Sequence, residues 1–569
     1  MDTAVVELSA EDNNLLKEAI RLCARQLFVL LKFVDTTNLT AESMSSLLQK
    51  YYDFATQSAA SKGPLFEIHV LFPSEHCGLD AIRASVCALP ELQSVVLGEH
   101  DDVKTISETY QAKRKLLHLP PVTSVSHQTP LPADATKLSR KRKHSDASNG
   151  EKSNKSASEK SERFAKFDGV VIGGTFDHLH SGHKILLTVG MLQQEECLSN
   201  GAFAAACLAH MVKSKKFVEN MEPFDDRKSA LLWFVRLVNS QITVDIHSLL
   251  DMYGPSVVLP DLQGIVVSQE TEKGGAMVNT KRKENGLNEL SVVVVALGST
   301  AAASSSSASP SDKLSSTDMR AHDAKRREKQ CQWLKEQFLA LCQGLQDTSS
   351  SATSAKPLGE FSLPETWWAK IEAAYRREPQ RSYHVLNHVY ELLQLIEEYM
   401  IALNQPRVVR LGMVIRGNGT AAWFHDVVYQ PKAKDNEEQS AQMFRGFASQ
   451  FHMVTLLDPW QRWQESKETK LVEDIIMATK THVVSPGTDT VSRNDMEYFL
   501  DFDLAILASP SRDYERYARQ IRQEYIHFSD AHFCFAGRAS VLQSLLSKPV
   551  LYYTKALHER FELRALYNI

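Results

Sequence analysis

The chain has 569 residues, of which 43% are hydrophobic and 23% charged, and its formal net charge is −5. That length is more than one hydrophobic core usually serves, so we expect a multidomain protein. The composition is typical of a globular protein, and the slightly acidic balance gives no indication of a nucleic-acid or anionic-membrane partner. The eight cysteines include no C-x-x-C pair, which argues against a disulfide framework or a structural zinc and favours a reducing location.

The sequence shows no pattern of an exported or membrane-spanning segment. The N-terminal MDTAVVELSAEDNN lacks the basic region of a signal peptide. The best apolar run, LFVLLKFV at residues 27–34, is short and contains a lysine, so it predicts a buried helix and not a bilayer span.

Two stretches of biased composition divide the chain into three blocks. Residues 131–166 are rich in Ser and Lys and nearly free of aromatic residues, so they bury too little apolar surface to offset the entropy of ordering. Residues 299–357 are low-complexity sequence around one helical stretch, whose Trp333, Phe338 and Leu341 favour docking on a neighbour. The blocks are therefore 1–130, 167–298 and 358–569.

The three blocks differ in pattern. The first mixes helical and strand-like stretches, which predicts an α/β region, and it contains no motif that indicates chemistry. The second alternates continuous apolar runs such as GVVIGG and LSVVVV with helical stretches, which predicts a parallel sheet covered on both faces. The third is helical in pattern almost throughout, which predicts an all-α domain.

A basic run, SRKRKHS at residues 139–145, lies in the first linker. Such runs can serve as nuclear-localisation signals, but they are also common in disordered segments. We therefore predict a cytoplasmic protein and leave nuclear access open.

The second block begins with GGTFDHLHSGH, residues 173–183, between a predicted strand and a predicted helix. Exposed backbone N–H groups and the helix dipole make such a helix N-terminus attractive to anions. Gly173 and Gly174 would let a phosphate approach the backbone closely, and Thr175 adds a hydroxyl donor.

Two histidines of this segment, His180 and His183, flank Gly182, and their spacing lets both imidazoles lean the same way in the first helical turn. Three interpretations are open: donors to phosphate, ligands of a metal, or ordinary surface histidines near a turn. No Cys or acidic residue of this block follows a known zinc pattern. We therefore favour a phosphate site. His178 has no assigned role, and its replacement by alanine should be tolerated.

These residues carry a family resemblance. GGTFDHLHSGHKILL resembles the signature of the H-x-G-H nucleotidyltransferase superfamily, and more narrowly that of the phosphopantetheine adenylyltransferase domain of eukaryotic CoA synthases. Three later segments resemble the same group in consistent order: KSKKFVENMEPFDDR (213–227), LLDMYGP (249–255) and VVSQETEKGGAMVNTKRKENGL (266–287). The resemblance covers about residues 167–298 and implies a Rossmann-like nucleotidyltransferase fold.

The resemblance implies transfer of AMP from ATP, bound with Mg2+, to 4'-phosphopantetheine, which gives dephospho-CoA and pyrophosphate. His180 and His183 would donate hydrogen bonds to phosphates of ATP. Lys215 would bridge the two substrates, and Thr175 would help to place the attacking phosphate. The further residues implied to contact nucleotide or substrate are Gly173, Gly174, Phe176, Asp177, Gly182, Arg227, Ser268, Glu270, Thr271 and Arg282.

Some of these residues have ordinary alternatives. Lys215 and its neighbours Lys213 and Lys216 could form a solvated basic stretch. Arg227 could only pair with local acids at a helix start.

The resemblance also sets an expectation about partners. CoA synthases of this type continue into a dephospho-CoA kinase, which needs a G-x-x-x-x-G-K-[ST] loop. The sequence contains no such loop, so we expect that kinase to be a separate protein. The other implied partners are small molecules, and we expect no nucleic acid.

Two rival functions stay open. The first is another H-x-G-H cytidylyl- or nucleotidyltransferase, against which we count VVSQETEKGG in place of an R-T-x-G-I-S-T type of segment. The second is a non-catalytic CoA-sensing scaffold, against which the intact histidine pair argues.

The helical block carries a second set of chemistry-bearing residues. His384 and His388 are four residues apart, on one face of a predicted helix. The adjacent His425 and Asp426 lie in an apolar helix, where they are costly unless they have a function. Asp503 follows at the edge of another apolar run. Imidazole and carboxylate groups together suit a divalent transition metal.

This block resembles the HD superfamily of metal-dependent phosphohydrolases through YHVLNH, FHDVVY, NEEQSA, TKTH and DFDL. The resemblance implies a metal such as Mn2+, Fe2+ or Zn2+, which would activate water and orient a phosphoryl group. The implied ligands are His388, His425, Asp426 and Asp503. His384, Glu437, Glu438 and His482 would surround the ligands or the substrate. A non-catalytic metal module remains an alternative, and the motifs specify no substrate.

Overall fold

The computed structural model describes residues 2–126, 166–297, 315–347, 363–402, 420–452 and 459–569, apart from short gaps at 9–11, 33, 35–39, 63–65, 75–76, 99–100, 195–201, 208–214, 250, 379, 486 and 489. Residues 131–165, 299–314 and 348–357 of the two predicted linkers, with the basic run 139–145, lie outside the described residues, as does Lys213. The chain divides into two compact units, Met1–His322 and Asp323–Ile569.

The first unit begins with a five-stranded parallel sheet. Its strands are β1 (Thr3–Leu8), β2 (Gln26–Leu31), β3 (Glu67–Leu71), β4 (Ser94–Leu97) and β5 (Thr123–Ser126), in the order β3-β2-β1-β4-β5. The connecting helices are α1 (Asn13–Leu22), α2 (Ala41–Ser58), α3 (Leu79–Cys87) and α4 (Val103–Leu116). The apolar run at 27–34 lies largely in β2, so the predicted helix is wrong. Its side chains are buried on both faces of the sheet, as a continuous apolar run in a parallel strand requires.

The second sheet repeats this strand order. Its strands are β6 (Val170–Gly174), β7 (Ala202–Cys207), β8 (Thr243–Ser248), β9 (Gly264–Ser268) and β10 (Ser291–Val295), all parallel and in the order β10-β9-β6-β7-β8. Helices α5 (Ser181–Leu192), α6 (Phe224–Val238) and α7 (Glu272–Glu284) accompany it. The predicted parallel sheet is confirmed. Ligands of such sheets bind where the strand order reverses, which here is between the carboxyl ends of β6 and β9.

Both sheets of the first unit share one hydrophobic core. Helix α2 of the first sheet packs against α5 of the second. The imidazole of His69, in β3, meets the indole of Trp233, in α6, edge to face at 5.0 Å between ring centroids. The buried Lys184 ammonium donates a hydrogen bond to the Ile68 carbonyl at 2.8 Å. The first two blocks thus form one unit, because the apolar faces that their patterns revealed are buried against each other.

The second unit is largely helical, as predicted. Helix α8 (Ser316–Asp347) contains the boundary between the units. The helices that follow are α9 (Leu363–Arg376), α10 (Leu386–Ala402), α11 (Asn436–His452), α12 (Pro459–Thr479), α13 (Thr490–Asp503), α14 (Ser511–Glu524), α15 (Ala539–Leu546) and α16 (Lys555–Asn568). Aromatic side chains dominate the centre of its core, among them Trp367, Trp368, Trp423, Phe424 and Phe447.

Helix α8 lies inside the range 299–357 that composition assigned to a linker. Its first turns belong to the first unit, whereas Leu334, Phe338 and Cys342 are buried in the core of the second. The predicted docking of its apolar face is therefore confirmed, although the block boundaries differ. Among the described residues, no helix combines the length and the apolar character that crossing a membrane requires.

Candidate functional site

The loop from β6 to α5 carries the predicted histidine site, and its backbone is strained. Phe176 and His178 have backbone φ angles of 46° and 49°, which residues other than glycine rarely adopt. A Cβ on Gly174 would lie 3.1 Å from the Phe176 ring, so the loop closes tightly there, while Gly173 is exposed. Phe176 is fully buried, with its ring 5.4 Å from that of His183. It supports the site from the core, and its predicted contact with substrate stays a prediction.

His180 and His183 stack on each other at the start of α5, with ring centroids 3.9 Å apart. A Cβ on Gly182 would lie 3.2 Å from the His180 ring, so the lack of a side chain at residue 182 leaves room for this ring. His183 Nδ1 is shielded from solvent and has no hydrogen-bond partner among the described residues. Burial, and then its positive neighbours, lower the pKa of His183 well below 6.5. A neutral imidazole with an unsatisfied buried nitrogen is costly, and a ligand would relieve that cost.

The carboxyl end of β9, beside β6, brings Ser268, Glu270 and Thr271 to the same edge of the sheet. Thr271 Oγ1 accepts a hydrogen bond from the Ser268 N–H at 3.0 Å and donates to the Ser268 carbonyl at 3.2 Å. Ser268 and Thr271 therefore form a capping box at the start of the short 3-10 helix Gln269–Thr271, which precedes α7, and Glu270 is exposed. Their place agrees with the expected ligand crevice, and their contact with a ligand stays a prediction.

Asp177 is buried and holds segments of the protein together. Its carboxylate accepts hydrogen bonds from Arg320 Nη1 at 2.5 Å and from the Glu222 N–H at 2.9 Å. Arg320 Nε also donates to the Lys216 carbonyl at 2.9 Å. Burial would raise the pKa of Asp177, but His178 and these donors hold it below its usual range. The Asp177 carboxylate thus serves internal partners, and its predicted contact with substrate stays a prediction.

Sequence reasoning missed Arg320 and also Ser316, whose hydroxyl donates to the Asp177 carbonyl at 3.0 Å. Both residues lie in the first turns of α8, within the range assigned to a linker. A signal existed, since a Ser-Ser-Thr run before a helical pattern is typical of a helix start. The Ala/Ser-rich sequence that precedes it hid that signal.

Two arginines that the resemblance implies to bind substrate donate hydrogen bonds to backbone carbonyls within the fold. Arg227 is buried and donates to the Glu222 carbonyl at 3.0 Å and to the Thr175 carbonyl at 2.8 Å, so it positions the histidine loop. Arg282 is also buried, and its guanidinium donates to the backbone carbonyls of Ser256, Leu259, Leu262 and Asn288. Both guanidinium groups thus satisfy backbone carbonyls, and their predicted ligand contacts stay predictions.

Lys215 is exposed and directly precedes Lys216, whose carbonyl Arg320 binds. The backbone beside Lys215 is therefore tied to the histidine loop through Arg320 and Asp177, while its side chain remains accessible. The preference for Lys215 over its neighbours stays a prediction.

The helical unit gathers the four predicted metal ligands. The Nε2 atoms of His388 and His425 lie 3.2 Å apart. Asp503 Oδ1 lies 3.1 Å from His388 Nε2, and Asp426 Oδ2 lies 3.1 Å from His425 Nε2. Two imidazole nitrogens and two carboxylate oxygens that converge in this way fit a divalent transition metal in kind and in number.

Neighbouring groups orient these side chains. His425 Nδ1 lies 3.2 Å from the Ala422 carbonyl, a partner that needs the proton on Nδ1 and leaves Nε2 for a metal. His482 Nε2 lies 2.9 Å from Asp503 Oδ2, so it orients that carboxylate. Although burial lowers it, the Asp426 and Asp503 carboxylates raise the pKa of His425 to about 9. The cluster thus concentrates negative charge that a cation would neutralise.

The remaining residues expected near this centre, His384, Glu437 and Glu438, bind other partners. His384 Nδ1 lies 2.7 Å from Glu524 Oε2, on a carboxylate that the sequence analysis did not assign. Glu437 and Glu438 pair with Lys480. The described contacts of Glu437 do not link it to the four ligands, so its predicted role there finds no support.

Comparison with known proteins identifies the family of the first unit. No protein-family model matches the chain. A phosphopantetheine adenylyltransferase of Saccharomyces cerevisiae is 36% identical over 156 residues, which are 27% of this chain and 48% of the relative. Proteins of the same name from Pyrococcus furiosus and Methanopyrus kandleri are 35% identical over 130 and 131 residues, and the chain covers 78% and 80% of their lengths. The chain belongs to the phosphopantetheine adenylyltransferase family.

This phosphopantetheine adenylyltransferase similarity concerns about a quarter of the chain, and the chain spans about half the length of the yeast relative. A solved structure from Archaeoglobus fulgidus, of a protein with unknown function, is 25% identical and covers 22% of this chain and 88% of that one, with a TM-score of 0.19.

Replacing Arg320 by Gln should destabilise the adenylyltransferase unit. The change leaves the Asp177 carboxylate buried without its cation, which typically costs about 3–5 kcal/mol. We expect a lower Tm for the first unit in calorimetry and faster amide hydrogen exchange at residues 215–222. Arg326→Gln is the control, because Arg326 lies in the same helix, is partly exposed and pairs with Asp323. An unchanged Tm in Arg320→Gln would show that the ion pair does not hold these segments.

Replacing Gly182 by Ala should separate activity from stability. Alanine is favoured over glycine in a helix by roughly 0.5–1 kcal/mol, so the Tm should hold or rise. The new Cβ would crowd the His180 ring at 3.2 Å, and we expect the nucleotidyltransferase activity that the family membership implies to fall by about tenfold. The control is Gly446→Ala, in α11. Its new Cβ would lie 3.7 Å from the Trp367 side chain, which is an ordinary contact, so this variant should keep full activity. Wild-type activity in Gly182→Ala would contradict the role of the stacked pair.

Proposed function

We propose that the first unit transfers AMP from ATP to 4'-phosphopantetheine, with release of pyrophosphate, as an adenylyltransferase of the eukaryotic CoA-synthase type. The observation that carries this proposal is the stacked histidine pair at the start of α5, with the unsatisfied buried Nδ1 of His183. The pair follows the central strand β6, at the sheet edge where ligands of open α/β sheets bind. The family membership supports ATP, which enters with Mg2+, and 4'-phosphopantetheine as substrates.

The residues suit this reaction without a catalytic base. The attacking phosphate is already anionic, so the protein needs only to align the groups and to stabilise charge in an in-line transition state. His183 is neutral, since its pKa is lowered, and it donates through one N–H. His180 and the exposed Lys215 supply further donors. A hydrogen bond to a charged group contributes about 1.5–3 kcal/mol, which corresponds to roughly 10- to 100-fold in rate when it forms only in the transition state.

The direct test is to incubate the purified chain with ATP, Mg2+ and 4'-phosphopantetheine and to measure dephospho-CoA and pyrophosphate. We expect turnover by the wild type and a loss of about 100-fold in kcat for His183→Ala, because a transition-state donor is removed. His118→Asn changes an exposed histidine of the same unit and should keep the wild-type rate.

The outcomes separate the rival functions. Product formation with CTP in preference to ATP would favour a cytidylyltransferase. Tight binding of CoA without turnover of any nucleotide would favour a sensing scaffold. Absence of product with every nucleotide would refute the transferase proposal.

We also propose that the helical unit is a metal-dependent phosphohydrolase of the HD type. The supporting observation is the convergence of two imidazole nitrogens and two carboxylate oxygens at His388, His425, Asp426 and Asp503. A divalent metal such as Mn2+, Fe2+ or Zn2+ would supply a water of lowered pKa and a site for a phosphoryl oxygen. The chain's own residues would hold the metal and, through His482, keep Asp503 in orientation.

Metal analysis tests the proposed centre. We expect the wild type to retain close to one equivalent of transition metal, and His425→Ala/Asp426→Ala to retain almost none, because half of the ligands are gone. His527→Ala/Asp530→Ala removes the same residue types at exposed positions and should retain the wild-type content. Equal metal content in all three proteins would refute the site. Metal retention without hydrolysis of any phosphoester would favour the non-catalytic metal module.

A further inference from the structure

Five hydrogen-bond donors converge on the buried carboxylate of Glu524, at the end of α14. Oε1 accepts from the backbone N–H groups of Ser382, Tyr383 and His384 at 2.8–3.0 Å. Oε2 lies 2.7 Å from His384 Nδ1 and accepts from the Tyr429 hydroxyl at 3.0 Å. Glu524 has no exposed surface. A carboxylate so fully satisfied is not available to a metal or a substrate, so its function is to hold its neighbours.

The neighbour that Glu524 holds most completely is His384. Its N–H and Nδ1 both bind Glu524, while its carbonyl accepts a hydrogen bond from Arg381. The same Arg381 guanidinium binds the carbonyl of Asp426, one of the candidate metal ligands. The Tyr429 ring stacks on the imidazole with 4.1 Å between centroids. His384 is therefore fixed in position and in ring orientation. Arg381 also links its backbone to that of Asp426, one of the four candidate metal ligands.

This arrangement leaves one ring nitrogen of His384 available to bind a ligand. Nδ1 is committed to Glu524, so Nε2 is the remaining polar atom of the ring. The side chain keeps 19% of its surface exposed, as does that of Asp426, so both can meet a small ligand. An imidazole bound through Nδ1 to a carboxylate has a fixed tautomer and orientation and accommodates positive charge more readily, which suits an anionic partner.

We propose that Glu524 is a positioning residue that directs His384 Nε2 to the phosphoryl oxygens of a phosphate-bearing ligand at the metal centre. The inference rests on the proposed metal-dependent phosphohydrolase and assigns two of its groups. His384 binds the anion, and Glu524 touches neither ligand nor metal. A donor whose position is set in advance loses less entropy on binding, so it contributes more to affinity than a mobile one.

The test uses the full chain, Mn2+ as the metal and inorganic phosphate as the probe, with both affinities measured by isothermal titration calorimetry. Glu524→Gln keeps the shape of the side chain but replaces an acceptor oxygen by an NH2 group. We expect Mn2+ affinity within about threefold of wild type and phosphate affinity on the Mn2+-loaded protein about tenfold weaker. His384→Gln should show the same loss. The double variant should lose no more than either single variant, because Glu524 acts through His384.

The matched control is Glu562→Gln. Glu562 is a buried carboxylate of the same unit that accepts backbone N–H groups of Leu551 and Tyr552, and its change should leave phosphate affinity unaltered. Should Glu524→Gln fail to fold, His384→Gln decides alone, and wild-type phosphate affinity in that variant overturns the inference.

The outcomes distinguish this inference from the proposed metal centre. Normal Mn2+ binding with unaltered phosphate affinity in Glu524→Gln overturns the inference and leaves the metal centre standing. Loss of Mn2+ binding in Glu524→Gln overturns it too, because Glu524 would then support the ligands and not His384. A wild-type protein that does not bind Mn2+ overturns the metal centre and the inference with it.

Discussion

The buried ion pair between Asp177 and Arg320 is the interaction on which the transferase site depends. It joins the histidine loop, the segment of Lys216 and the first turns of α8, which are far apart in the sequence. Two of these segments contain residues with positive φ, among them Phe176 and Phe217, so they need contacts that compensate for backbone strain. Burying two charges is worthwhile only when each finds its partner and further hydrogen bonds. Groups buried inside the fold therefore set the geometry of the candidate site.

The chain uses histidine in two electrostatic settings. His183 lies among positive neighbours and is partly buried, so its pKa falls and the ring stays neutral. His425 is buried, but the carboxylates of Asp426 and Asp503 raise its pKa to about 9. The first setting suits a donor to phosphate, and the second suits a position that a metal cation takes over from a proton. The charges nearby, and not the residue type, decide which chemistry each histidine can support.

Local patterns predicted the elements of this protein better than they predicted the use of its side chains. The parallel sheet and the helical unit follow from apolar periodicity, which reports which faces are buried. Arg282 shows the limit, since a sequence does not reveal whether a guanidinium faces a phosphate or backbone carbonyls. Arg320 shows another limit, because its partners Asp177 and Lys216 precede it by more than a hundred residues. Contacts of that range depend on how whole elements pack, which no short motif encodes.

The shared core of the two sheets has a consequence for inheritance. The apolar faces of the two sheets shield each other from solvent. The Lys184 ammonium donates its hydrogen bond to a backbone carbonyl of the other sheet. A change of side-chain volume at His69 must be accommodated by Trp233 across that boundary. Across related chains, such positions should vary together and not independently.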